Sequence, residues 1–239
     1  MNLDPARTVA ELVLEAPQAM SVFDRFGIDY CCGGGKSLLE ACGIARVNPN
    51  DVLESLNGVA ETESGTQPNF HSASLAELIT YIVNTHHHFT KAEIARLPMM
   101  LDKLCSVHGQ THPELMQVRA LFRQLSADLE PHMLKEERVL FPYIVEMEAA
   151  SMQSRPRPRP PFGTVLNPIR MMMMEHDVAG SLLKEIRAAS YNYQLPPDAC
   201  TSYRAAYHAL EAIEKDLHQH IHLENNLLFP RAAFMEDQA

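Results

Sequence analysis

The 239-residue chain contains no tryptophan, and its 20 lysines and arginines fall well short of its 30 acidic residues, giving a formal charge of −10 with histidine neutral. A protein that tracks nucleic-acid phosphates needs a basic face, so this balance argues against nucleic acid as a partner. No run of 18 apolar residues occurs, and no membrane span is expected. The opening residues carry Asp4 and Glu11 where a signal peptide would have a basic start and an apolar core, so the cytoplasm is the expected compartment. Five cysteines, two of them adjacent, do not make a disulfide framework and suit a reducing compartment. Nowhere do apolar and polar residues alternate as a half-buried strand requires. The chain is nevertheless 46% apolar, enough for a packed core, and it carries 12 histidines.

Those histidines are partly organised by a repeat. HMLKEERVLFP (His132–Pro142) and HIHLENNLLFP (His220–Pro230) both read H-x-x-x-E-x-x-x-L-F-P, 88 residues apart. His86 precedes the first copy by 46 residues and His176 precedes the second by 44. The C-terminal two-thirds thus divides into two similar halves.

Each half reads as a pair of helices. Leu75, Leu78, Ile79, Ile82 and Val83 recur at helical spacing in a segment running from Ser74 through His86 towards Cys105. After the break at His108–Pro113, the residues Leu115 to Leu140 mark a second long helix, with a bend expected at Pro131, at Pro142 or at both. Arg155–Pro161 alternates Arg and Pro and reads as an extended connection. Asn167-Pro168 reads as an N-cap with Pro at the first helical position, opening a third helix to about Ala189. A fourth starts after Leu195–Asp198 and runs through His220 to about Phe234. The predicted architecture is all-α: an antiparallel four-helix bundle over 74–239, a polar linker over 59–73, and a small helical domain over 1–58. The small domain has expected helices at Val9–Ala16, Gln18–Phe26, Ser37–Cys42 and Asp51–Leu56.

Residues four apart share a helix face, so His132 points with Glu136 and His220 with Glu224. Approximate two-fold symmetry brings these pairs together in the bundle core, with His86 and His176 from the other helices. Four imidazoles and two carboxylates suit two metal ions, each with two His and both Glu bridging; the donor set favours iron or manganese and does not exclude zinc. A single HxxxE is ordinarily a salt bridge on a solvated face. Two copies, each with its own upstream His, outweigh that reading, and without metal the core would bury these groups uncompensated.

The remaining candidates read more plainly. His87, His88, His218 and His222 point away from the ligand faces and are expected at the surface, with a supporting role for His87 as the alternative. His71, His108, His112 and His208 follow no pattern. Glu137 and Glu175 are expected as surface carboxylates, with proton relay as the alternative. Met171–Met174 cover every face of a helix, cannot converge on one ion, and are expected to fill core. Cys31–Ser37 (CCGGGKS) fails as a phosphate loop because Tyr30 stands where glycine is needed and no strand precedes it. It suits a reactive or metal-handling thiol pair, since a following helix N-terminus would favour thiolate at Cys31 and Cys32. A tight turn with buried Cys is the other reading. Cys42, Cys105 and Cys200 are expected as small buried hydrophobes.

Taken together, the Tyr-Cys-Cys-Gly-Gly run at Tyr30–Gly34, the two long repeat copies and the Glu-His-Asp at Glu175–Asp177 resemble the iron-sulfur cluster repair (repair of iron centres) family of the YtfE/ScdA type, over essentially the whole chain. The resemblance implies a hemerythrin-like bundle with ligands His86, His132, Glu136, His176, His220 and Glu224. These would hold two non-haem iron ions, oxo- or hydroxo-bridged, with both Glu bridging. It also implies a cytoplasmic stress protein that restores iron-sulfur clusters damaged by nitric oxide or peroxide. Its partners would be those damaged proteins, with nitric oxide or dioxygen as small ligands; a nitric oxide reductase-like activity is attributed to the type, and a homodimer is left open. A different class is a dioxygen or nitric oxide sensor or carrier without turnover, for which the appended Cys-Cys domain has little use.

Overall fold

The computed structural model describes residues 3–60, 70 and 72–238. The expected linker falls largely, and His71 wholly, outside them. Among the described residues there are helices and no strands, only an isolated bridge between Thr8 and Ser37.

Four short helices form the N-terminal part: α1 (Val9–Glu15), α2 (Ala19–Phe26), α3 (Leu38–Ala45) and α4 (Pro49–Ala60). Capping boxes set two of the starts, Thr8 with Glu11 and Ser37 with Glu40, each side chain satisfying the other residue's amide. Asn48 caps the start of α4 by accepting from the Asn50 amide. Both α3 and α4 run past the expected Cys42 and Leu56. Their apolar faces close on Phe23, Tyr30 and Leu38, and one residue of the bundle, Ile221, belongs to the same core.

The bundle has four arms. The first is α5 (Leu75–Ile82), a π-turn π1 (Val83–His87) and α6 (His88–His108). The second is α7 (Glu114–Lys135), π2 (Glu136–Leu140) and α8 (Phe141–Met152). The third is the single helix α9 (Leu166–Ala189), and the fourth is α10 (Thr201–Leu223), π3 (Glu224–Leu228) and α11 (Phe229–Asp237). Helix α6 packs on α7, α7 on α9, α9 on α10 and α10 back on α6, closing the ring. Between α8 and α9 the Arg-Pro segment carries no regular secondary structure up to Pro160.

Proline explains two of the π-turns. Pro142 and Pro230 have no N–H and would clash with the carbonyl four residues back, so the backbone widens just before each Phe-Pro pair. Carboxylates from neighbouring helices close two N-termini: Glu148 accepts from the Leu75 and Ala76 amides at 2.7 and 2.9 Å, and Glu236 accepts from Val165 at 3.0 Å. That second cap places the start of α9 ahead of Asn167, whose side chain instead donates to the Phe162 carbonyl.

Two apolar cores stack along the bundle. One gathers Leu97–Leu104, Leu115–Met133, Ala179–Ile186 and Tyr203–Leu217; the other gathers Leu75–Ile82, Leu140–Met147, Val165–Met172 and Leu223–Ala232. Between them, at the level of the three π-turns, lies a layer of buried histidines and glutamates. Of Met171–Met174 only Met172 is core; the other three are exposed, because α9 turns a single face inward here. No helix among the described residues is long and apolar enough to cross a membrane.

Candidate metal centre

The buried polar layer contains two groups of converging donors. One is His87, Glu136, His220 and Glu224; the other is His132, Glu136, His176 and Glu224. Within each group all donor atoms lie within 4.8 Å of one another. The Nε2 atoms of His87 and His220 are 3.1 Å apart, as are those of His132 and His176. Glu136 Oε2 stands 3.4 Å from His87 Nε2 and 3.3 Å from His132 Nε2. Glu224 reaches His220 at 3.0 Å with Oε1 and His176 at 3.1 Å with Oε2. Both carboxylates therefore belong to both groups.

Five of the six residues read from the repeat meet here, and the sixth is corrected. His87 enters the cluster in place of His86. The turn that carries both is π1, whose extra residue rotates the following backbone relative to a regular helix, so a face counted at 3.6 residues per turn selects the wrong neighbour. The spacing held the signal: His87 stands 45 residues before His132, closer than His86 to the 44 of the other half. His86 is buried beside the centre, donating from Nδ1 to Asp216 Oδ1 at 2.9 Å.

The outer contacts overturn further expectations. Glu137 and Glu175 are not free surface carboxylates. Glu137 accepts from His87 Nδ1 at 2.7 Å and from Lys91 at 2.5 Å, and Glu175 accepts from His132 Nδ1 at 2.8 Å and also pairs with Lys135. His176 Nδ1 donates to Asn225 Oδ1 at 2.8 Å, a residue absent from the sequence reading. Such partners fix the tautomer and turn Nε2 towards a cation. The common signal is adjacency: Glu137, Glu175 and Asn225 each neighbour a donor residue in sequence. His222 is buried too, against the Tyr30 carbonyl and Asn226, whereas His88 and His208 are exposed and His218 pairs with Asp24.

Electrostatics test whether the pocket fits a cation. Burial disfavours charge on His87, yet the carboxylates of Glu136 and Glu224, 3.4 and 3.8 Å from its Nε2, push it up to about 10; His176, equally opposed by burial, is pushed up to about 9 by Glu224. Burial takes His220 down to about 4 and lowers His132. Burial and the charge of Glu224 raise Glu136, while Glu224 is held well below the usual carboxylate range against burial, by the charge of His220, its hydrogen bond with His220 and the nearness of His176. The carboxylates thus draw positive charge into a dry layer. Both Glu136 oxygens and Glu224 Oε2 are buried without a hydrogen bond, at about 1–3 kcal/mol for each unmade bond. Orphaned carboxylate oxygens facing four imidazoles fit divalent or trivalent cations, which would replace the protons.

The thiols lie at the edge of this layer. Cys31 and Cys32 dock against α9 and π3: Cys32 Sγ approaches the His176 carbonyl at 3.6 Å, and the Cys31 carbonyl accepts from Asn225 and Asn226 at 3.3 and 3.2 Å. Gly34 permits the approach, since a Cβ there would come within 2.7 Å of Asn226 Oδ1 and of the Tyr30 carbonyl. The expected thiolate at Cys31 is corrected. The hydrogen bond with Cys32, burial, and the charge of Asp29 raise its thiol well above the usual value. Asp29 accepts from the Cys32 and Gly33 amides at 3.0 Å and pairs with Lys184. Cys42 and Cys105 are buried as expected; Cys200 is exposed at the start of α10, 3.2 Å from His108 Nε2.

A bundle with a buried His and Glu layer shared among four arms defines the class: the hemerythrin HHE cation binding domain, whose family model matches residues 78–232. The model ScdA_N, a domain of unknown function (DUF542), matches residues 5–60. The chain is 36% identical over 227 residues to the iron-sulfur cluster repair protein YtfE of Dickeya chrysanthemi, covering 95% of this chain and 96% of that one. It is 33% identical to YtfE of Escherichia coli O81, with 94% and 95% covered, and 30% identical to the iron-sulfur cluster repair protein ScdA of Staphylococcus haemolyticus, with 92% and 95% covered. The chain belongs to the iron-sulfur cluster repair family of the YtfE/ScdA type.

Proposed function

We propose that the layer holds two iron ions, one at His87 and His220 and one at His132 and His176, with Glu136 and Glu224 bridging both, in a cytoplasmic protein that repairs iron-sulfur clusters damaged by nitrosative or oxidative stress. The observation that carries this reading is that each carboxylate belongs to both donor groups. Imidazole and carboxylate without thiolate suit iron, and the names of the relatives point to damaged iron-sulfur proteins as targets. Iron held there would supply a redox-active centre with a labile position open to nitric oxide or to release of an ion. The protein's part is to keep the layer dry and the donors aimed: Glu137 and Glu175 hold hydrogen on Nδ1 of His87 and His132, and Lys91 and Lys135 balance those outer carboxylates. Cys31 and Cys32 act in this reading as thiols at the centre's outer edge, from a small domain joined to the bundle across residues 59–73.

The test is incubation of the iron-loaded protein with an iron-sulfur enzyme inactivated by nitric oxide. Recovery of that enzyme is expected, and is expected to fail with Glu136→Ala and with Cys31→Ser/Cys32→Ser. Reversible dioxygen binding without any recovery would overturn the reading in favour of a carrier.

A further inference from the structure

The braces behind the imidazoles follow a cyclic rule. Glu137 on the second arm braces His87 on the first; Glu175 on the third braces His132 on the second; Asn225 on the fourth braces His176 on the third. Each brace is the sequence neighbour of a donor on its own arm: Glu136, His176 and Glu224. The rule leaves one place open, a brace on the first arm beside His87 for His220 on the fourth. That neighbour is His86.

The atoms left without partners agree. His220 Nδ1 and His86 Nε2 are both buried and unpartnered, and the two rings are parallel to within 6° at a centroid separation of 5.7 Å. His86 commits its Nδ1 hydrogen to Asp216, which lies one helical turn before His220 on α10. With that hydrogen on Nδ1, Nε2 is the ring's acceptor atom, and it has no donor. An imidazole that turns Nε2 to a cation keeps its hydrogen on Nδ1, so His220 has a donor without an acceptor.

We propose that His86 is the positioning residue of His220, its Nε2 accepting the Nδ1–H of His220 directly or through one water. Asp216, His86 and His220 then form one hydrogen-bonded line ending at the first cation. The inference rests on the metal-centre reading above.

The experiment is titration of the full chain with cobalt(II), reading chelator competition and the visible ligand-field absorption. His86→Phe removes the acceptor while keeping a buried ring; one of two cobalt ions is expected to bind about 10–100-fold more weakly, with a changed spectrum. His86→Gln, whose amide oxygen accepts and whose amide nitrogen can donate to Asp216, is expected to restore both readouts. Asp216→Asn, near-isosteric, is expected to weaken the same ion. Parental affinity and spectrum in His86→Phe would overturn the proposal. So would a glutamine variant as weak as the phenylalanine one, or an unchanged Asp216→Asn. A parent chain that takes up no cobalt(II) would instead overturn the metal centre on which the proposal stands.

Discussion

His132 and His176 are each held from behind by a conventional polar partner, Glu175 and Asn225, whereas of His87 and His220 only the first is, by Glu137. The pairs also differ in what lies outside them. The His132–His176 pair faces the N-terminal part, because Asn225 holds the Cys31 carbonyl as well as His176. The His87–His220 pair faces the tandem histidine and Asp216. Two donor sets of the same composition are thus supported differently, one through the Cys-Cys loop and one through the bundle alone. A halved sequence repeat therefore does not make two equivalent halves of a site.

The largest test of that comparison is Glu224→Ala, which removes a donor common to both pairs. Metal content is expected to fall from about two ions per chain to less than one; two ions retained would show that the pairs do not share it. His87→Ala is expected to cost one ion and leave the His132–His176 pair loaded, whereas His86→Ala keeps two ions per chain at high metal. The reverse pattern in metal analysis would restore His86 as the ligand. Asn225→Ala should act on the other pair only, weakening one ion about 10–100-fold in a competition titration. Equal weakening of both ions would dissolve the distinction.

The smallest effect is a pH profile of metal-free stability, measured by chemical denaturation. His87 and His176, raised to about 10 and 9 from 6.5, contribute stability that is complete below pH 6.5 and lost as pH rises through 9 and 10. His220 and His222, lowered to about 4, impose a penalty that is absent above pH 6.5 and grows as pH falls towards 4. Metal-free protein is therefore expected to be most stable near pH 6.5. Metal should flatten the alkaline side by displacing the protons of one histidine from each pair. A metal-free profile that climbs from pH 6.5 to 9 would contradict these assignments.

Much of this was legible in the sequence. Periodicity and breakers place all four bundle arms, and the repeated H-x-x-x-E names four of the six cluster residues without knowledge of the fold. Most of what escaped lies in the π-turns; Glu175, on the regular helix α9, is the exception. Leu-Phe-Pro ends π2 and π3 in both copies, yet a count at regular helical spacing carries no record of a widened turn. The 46-residue spacing that points to His86 is one residue longer than the 45 of His87, and the widened turn presents His87 to the cluster; Glu137 and Asn225, set inside π2 and π3, reach across to the next arm. His222 is buried for another reason: Tyr30 and the N-terminal helices cover that face of α10, and such covering leaves no mark in a helix's own periodicity.

The stacking of the two apolar cores has a mechanical meaning. Above and below the polar layer, side chains interlock as in any bundle, but across the layer the four arms meet through histidines and carboxylates that crowd one another. The bundle is in effect two drums on a common axis. Ions seated between them would act as rivets, so their departure should loosen one drum against the other and leave each drum's own packing intact.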